Sequence, residues 1–177
     1  MSKNIWVISD THFNHENILK FTDRDGFIIR PFASVQQMDE HMVQKWNSVV
    51  KPGDKVYHLG DVFFGSKEYF KKLWPRLNGS KNLIVGNHDD IKFMSNGGFF
   101  KKVYMWRKLP EFNMLLTHVP VHDSVLGESR FNKQPYNNIH GHIYQNKSPS
   151  DRHVCVSVEQ IGYTPINMEE LRDDYTR

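Results

Sequence analysis

The chain has 177 residues, of which 24% are charged and 38% hydrophobic, with a formal charge of +3 and a pI near 8.9. This length suits one domain, 1–177, able to bury a core without disulfides, and the single Cys155 excludes an intrachain disulfide and agrees with a reducing cytoplasm. No run approaches the roughly 18 apolar residues of a membrane span, and Ile5–Ile8 lacks the flanks of a signal peptide, so a soluble, cytoplasmic protein with no membrane partner is expected.

Asn4–Ser9 is a short apolar run ending at an Asp, which predicts a buried strand feeding a loop. Val35, Met38, Met42, Val43, Trp46 and Val49–Val50 recur at helical spacing. They predict a helix with Ser34 as its N-cap and Pro52-Gly53 as its stop. Lys55–Leu59 is a second strand, ending at Gly60-Asp61. Ser66–Trp74 reads as a helix ending before Pro75, and Asn82–Val85 as a strand before Gly86-Asn87. Further strands are expected at Lys101–Arg107, Met114–Thr117, Asn138–His140 and Val154–Val158, then a short helix over Asn167–Asp173 capped by Asn167. Strand and helix alternate first and strands dominate later, which predicts a layered α/β fold with parallel early strands. Polar residues repeatedly follow the carboxyl end of a strand, the edge where open α/β sheets bind ligands.

Those polar residues form five clusters in order: Asp10-Thr11-His12, Gly60-Asp61, Gly86-Asn87-His88-Asp89, Thr117-His118 and His140-Gly141-His142. Each alone is weak, since Gly-Asp is a turn dipeptide and a lone strand histidine usually sits in a core. Five in succession, each after a predicted strand, form a strong signal. Carboxylate with imidazole suits divalent first-row metals. Asp10 and His12 can address one ion only if the strand has ended and the backbone turns between them. Seven candidate ligands (Asp10, His12, Asp61, Asn87, His118, His140 and His142) exceed the needs of one ion but suit two sharing a carboxylate, a recurring device for displacement at phosphorus.

This ordered signature resembles that of the calcineurin-like metallophosphoesterase superfamily, and the likeness runs from Asp10 to about Tyr144. It looks closest to short, cap-less members of bacteria and their phages. The resemblance implies a four-layer α/β/β/α sandwich with two mixed sheets and the metals at one edge. It also implies two divalent ions, with manganese first among Mn, Fe, Ni, Zn and Co. Asp10 and His12 would bind the first ion, Asp61 would bridge, and Asn87 and His118 would bind the second. A metal-bridging hydroxide would be the nucleophile, His88 would assist the leaving group, and Asp89 would orient His88. Two departures stand out: Phe64 sits where the family often has a second Asp, and the last motif aligns in two registers. Either His140 and His142 form the His-x-His pair, or Gly141-His142-Ile143-Tyr144 is the match and Tyr144 replaces a histidine.

Around these, His15 is a candidate substrate contact or a cap of its segment, Arg30 a candidate substrate contact or a member of a surface ion pair, His58 a candidate support, and His122 and Arg130 candidate parts of one cleft rim. His41 and His153 read as structural or exposed. Phe63-Phe64, Phe99-Phe100, Trp74 and Trp106 invite base stacking, but core packing is the favoured reading. The substrate class expected first is a phosphodiester in a nucleotide, cyclic nucleotide or nucleic acid. The alternatives are a phosphomonoesterase acting on a small metabolite or phosphoprotein, and a non-catalytic binding module. Oligomeric state stays open.

Overall fold

The computed structural model describes residues 4–130 and 132–175. Alternation along the first strand, β1 (Ile5–Ile8), decides the layering. Trp6 and Ile8 enter one apolar core and Val7 the other. Strands β2 (Lys55–His58), β3 (Ser80–Ile84) and β4 (Lys102–Tyr104) follow in parallel beside β1. A second sheet takes β5 (Arg107–Leu109), β6 (Met114–Leu116), β7 (Asn137–His140) and β8 (His153–Cys155) in that order. Its β5–β6 pair is antiparallel and the others are parallel. A two-residue strand, β9 (Ile166–Asn167), returns antiparallel to β1, so both sheets are mixed.

Helices α1 (Val35–Val49), α2 (Lys67–Leu73) and α3 (Ile91–Asn96) cover the outer face of the first sheet. Met38, Met42, Trp46, Phe70, Leu73 and Met94 pack there against Trp6, Ile8, Val56 and Leu83. Between the sheets, Val7, Tyr57 and Ile84 face Met114, Leu116 and Ile139. The alternate residue of β6, Leu115, meets Leu126 of α4 (Asp123–Leu126) on the far side. This is the expected four-layer sandwich. The helix ends follow their capping residues: the hydroxyls of Ser34 and Ser66 and the carboxylate of Asp90 accept the N–H groups of Gln37, Tyr69 and Phe93. Asn167 likewise accepts the N–H of Glu169 at the start of α5 (Met168–Tyr175). No helix among the described residues is long and apolar enough to cross a membrane.

One expected strand is two. Lys101–Arg107 breaks at the exposed Met105 and Trp106, where the chain leaves β3 as a partner and joins β6 in the other sheet. The helices α3 and α4 and strand β9 were not foreseen; none spans more than six residues, too few to show a period.

The carboxyl ends of β1, β2, β3, β6 and β7 converge on one edge. The N–H of Ser9 donates to Val156 O at 2.9 Å, which ties the two sheets together, while that of Asp10 donates to Gly60 O at 3.0 Å within the first sheet and that of Gly141 to His118 O at 2.8 Å within the second. Gly60 takes φ +93°, and a Cβ there would overlap the backbone of Gly86. Gly60→Ala is therefore expected to lose at least about 3 kcal/mol of stability by chemical denaturation, through combined backbone strain and overlap; an unchanged midpoint would refute this packing.

Candidate metal centre

The backbone turns as the two-residue spacing of Asp10 and His12 requires. Asp10, His12, Asp61, His142 and Tyr144 all adopt positive φ, between 47° and 71°. Such conformations are unfavourable for residues with a Cβ and persist only where surrounding contacts hold them. Here they direct successive side chains to one point.

Two groups result. Asp10, His12 and Asp61 offer ligand atoms within 4.8 Å of one another, as do Asp61, His118 and His142, with Asp61 common to both. His12 Nε2 lies 3.8 Å from Asp10 Oδ1 and 3.6 Å from Asp61 Oδ2, and His118 Nε2 lies 3.4 Å from Asp61 Oδ2. Asn87 joins the second group, its Oδ1 2.9 Å from His118 Nε2. The Nδ1–H of His118 donates to Leu59 O at 2.7 Å, which turns Nε2 toward the carboxylate and the amide oxygen. Asp10 Oδ2 accepts from the N–H of His142 at 2.8 Å and the hydroxyl of Ser157 at 2.9 Å. Asp10 Oδ1 and Asp61 Oδ2 are buried with no protein donor. Buried carboxylate oxygens without a donor are costly in an interior, and a divalent cation satisfies them. The residues present therefore fit two ions sharing Asp61.

The electrostatics agree. Burial by itself would raise the Asp10 pKa, but His12 and His118 hold it far below the usual carboxylate range. Burial likewise opposes protonation of His118, but the carboxylates of Asp61 and Asp10 lift it to about 8.

Several expected roles fall differently. His140 is not brought to the cluster. Its ring nitrogens lie 2.9 Å from Gly141 O and 3.2 Å from Ser148 Oγ, and burial lowers its pKa to about 4. The structure selects the other register: Tyr144 Oη is 3.3 Å from His12 Nε2, where a second histidine would stand. Burial, then Asp10 and Asp61, raise that phenol to about 12, so it is neutral. Arg30, expected to reach substrate, is fully buried. It donates to the carbonyls of Asp10 (2.6 Å) and Thr11 (3.0 Å) and pairs with Glu159 at 2.6 Å, bracing the first ligand loop from behind. Asp89 does not touch the His88 ring; its oxygens accept the N–H groups of Asp61, Val62 and Gly86, so it fixes the bridging carboxylate's backbone instead. His88 is exposed on the rim, its N–H donating to Asp61 Oδ1 at 2.9 Å and its ring 6.0 Å from that of His12.

His15 does lie beside the cluster, 5.4 Å from His12, and burial first, then the cationic form of His12, drop its pKa to about 4. His58 supports it: its Nδ1 accepts from Gly60 N, so its Nε2–H donates to Thr11 Oγ1 at 2.9 Å. His122 caps α4, His41 packs between Phe32 and Tyr163, and His153 bonds Val121 O and Ser150. Trp74 and Phe63 are core residues, whereas Phe64 is 46% exposed beside His15 and His88. Ser157 and Glu159 carried no motif, and only the folded chain brings them to Asp10 and Arg30.

A model of the calcineurin-like phosphoesterases matches residues 3–175. The chain belongs to that family. It is 34% identical over 177 residues to an uncharacterized protein of Methanocaldococcus jannaschii, covering 94% of this chain and 88% of that one. It is 25% identical to the gene 66 protein of Mycobacterium phage D29, over 96% and 94% of the two chains. The crystal structure of a protein of unknown function from Aquifex aeolicus superposes with a TM-score of 0.73 at 28% identity, covering 97% of this chain and 99% of that one. This calcineurin-like phosphoesterase thus acts on a phosphoester, in a family that is typically dimetal-dependent, through Asp and His clusters able to hold metal.

Two outcomes test the geometry. Tyr144→His should tighten binding of the weaker ion at least roughly tenfold by titration calorimetry, since imidazole is the better donor; no change would move Tyr144 out of the site. Arg30→Met should cost about 3–5 kcal/mol by leaving Glu159 unpaired, whereas a surface arginine would cost almost nothing.

Proposed function

We propose that residues 1–177 act as one catalytic domain in the cytoplasm. Its reaction is hydrolysis of a phosphodiester in a nucleotide, cyclic nucleotide or nucleic acid, with two divalent ions, manganese first. Asp10, His12 and Asp61 would hold one ion, and Asp61, Asn87, His118 and His142 the other. Bound there, the ions would neutralise phosphoryl charge and lower the pKa of an attacking water.

The observation that carries the diester reading is the rim position of His88. A diester expels an alkoxide, a poor leaving group until it is protonated. His88 is tethered through its backbone to Asp61, and its ring is free to face a substrate held at the cluster. Positioned acid catalysis of this kind contributes about 10²–10⁴-fold. Phe64, where the family often has an acid, removes a charge that would repel an anionic substrate and offers a flat apolar face. His15, kept neutral, can accept or donate one hydrogen bond at the same rim.

The test is hydrolysis of bis(p-nitrophenyl) phosphate and p-nitrophenyl phosphate by metal-stripped protein given back Mn, Ni, Zn or Mg. Mn-dependent diester cleavage is expected. Asp61→Ala should abolish it, whereas His88→Ala should largely spare it, because p-nitrophenolate leaves unprotonated, and should reduce cleavage of a dinucleotide, which expels an alkoxide, about 10²–10⁴-fold. Preference for the monoester would replace the diester reading, and inactivity on both with every metal would leave a binding module.

A further inference from the structure

A groove begins at Tyr144, the neighbour of His12, and runs outward over the surface. Its inner stretch has a volume of about 480 Å³ and its outer stretch about 640 Å³, and they adjoin at Thr22, Gln145 and Asn146. Lys20, Phe21 and Arg24 line one wall; Tyr144, Asn146 and Lys147 line the other. The second wall is braced, because Gln160 Nε2 donates to Tyr144 O at 2.6 Å and to Asn146 O at 2.8 Å. Among the described residues, Lys20, Arg24 and Lys147 have no carboxylate partner; Lys20 reaches only Asn17 Oδ1, at 3.3 Å. Asp23, the acid in the lining, is turned to the backbone N–H groups of Asp25 and Phe27, each at 2.9 Å.

A run of rings joins this groove to the cluster. Phe21, 40% exposed, sets its edge 5.8 Å from His15, His15 lies over Phe64 at 4.5 Å and 31°, and Phe64 meets the His88 ring at 5.9 Å. Unpaired cations along a channel, with exposed rings at its catalytic end, are the two elements by which proteins hold unpaired nucleotides. We infer that this groove is a track for a single-stranded nucleic acid, with the scissile diester at the cluster and the adjoining nucleotides laid along Phe21, Lys20, Arg24 and Lys147. The inference rests on the phosphodiesterase reading for the reaction and narrows its substrate to a polymer. A lone nucleotide at the cluster would leave the outer cations unused, and a duplex would hide the base faces that Phe21 and Phe64 can stack upon.

The experiment measures anisotropy of a fluorescein-labelled single-stranded oligothymidylate bound to the full chain. Hydrolysis of bis(p-nitrophenyl) phosphate by the manganese-loaded protein is followed alongside. The double variant Arg24→Glu/Lys147→Glu should weaken oligonucleotide binding roughly tenfold or more and flatten its salt dependence, since two phosphate contacts are lost. Phe21→Ala should weaken binding several-fold with the salt dependence kept. The double variant should leave hydrolysis of the small ester unchanged, and both variants should keep the wild-type circular dichroism, which shows them folded. Wild-type affinity in both variants would overturn the track, as would inorganic polyphosphate that binds equally well and ignores Phe21→Ala. An oligonucleotide bound in this variant-sensitive way by a protein inactive on every ester would instead retain the track and remove the phosphodiesterase reading.

Discussion

Two carboxylates, Asp10 and Asp61, sit almost wholly out of water at the junction of the two sheets, and much of the surrounding structure serves to make that tolerable. An ionised carboxylate in an interior is expensive unless it is paired and hydrogen-bonded. Asp10 receives one hydrogen from the His142 backbone and one from Ser157, and Asp61 receives one from the His88 backbone. In each case one oxygen is satisfied by the protein and the other is left to the centre. The donors to Asp10 come from far along the chain, so that carboxylate can be stabilised only after both sheets have formed. The buried Arg30–Glu159 pair extends the same device one layer back. Its guanidinium neutralises a third carboxylate while clamping the carbonyls of Asp10 and Thr11, which holds the left-handed turn that aims Asp10 and His12.

How far the sequence displayed this follows from how local each feature is. Strand ends and helix caps depend on neighbours within a few residues, and they read correctly at Ile5–Ile8, Ser34 and Asn167. The ligand clusters read because each falls directly after such a strand. The division of Lys101–Arg107 between two sheets did not, because nothing in those seven residues records which partner strand lies beside them. The roles of Arg30, Asp89 and His140 were misjudged for a related reason. A charged side chain looks the same in sequence whether it faces substrate or a glutamate 129 residues away. His140 belongs to β7 and is hydrogen-bonded within its own end of the sheet. His142, two residues on and past the strand, is carried to the cluster by positive φ.

The choice between His140 and Tyr144 has a consequence for how the centre holds its ions. The group around His118 has Asp61, Asn87, His118 and His142, with the His118 tautomer fixed by Leu59. The group around His12 has Asp10, His12 and the shared Asp61, with a neutral phenol where a second imidazole would be, and His12 Nδ1 finds no protein acceptor to fix its ring. Fewer strong donors and a freer imidazole both weaken affinity, so the two positions are unequal by construction. The Tyr144 hydroxyl, held beside His12 on a residue that also lines the groove, is at the same time a hydrogen-bond donor that a histidine bound to metal would not supply. The same substitution that weakens one ion's hold therefore puts a neutral donor at the mouth of the path by which an anionic chain would enter. Occupancy of an ion at Asp10 and His12 would then be tied to what lies in that path, because a phosphate oxygen reaching the cluster would supply a ligand that the protein withholds.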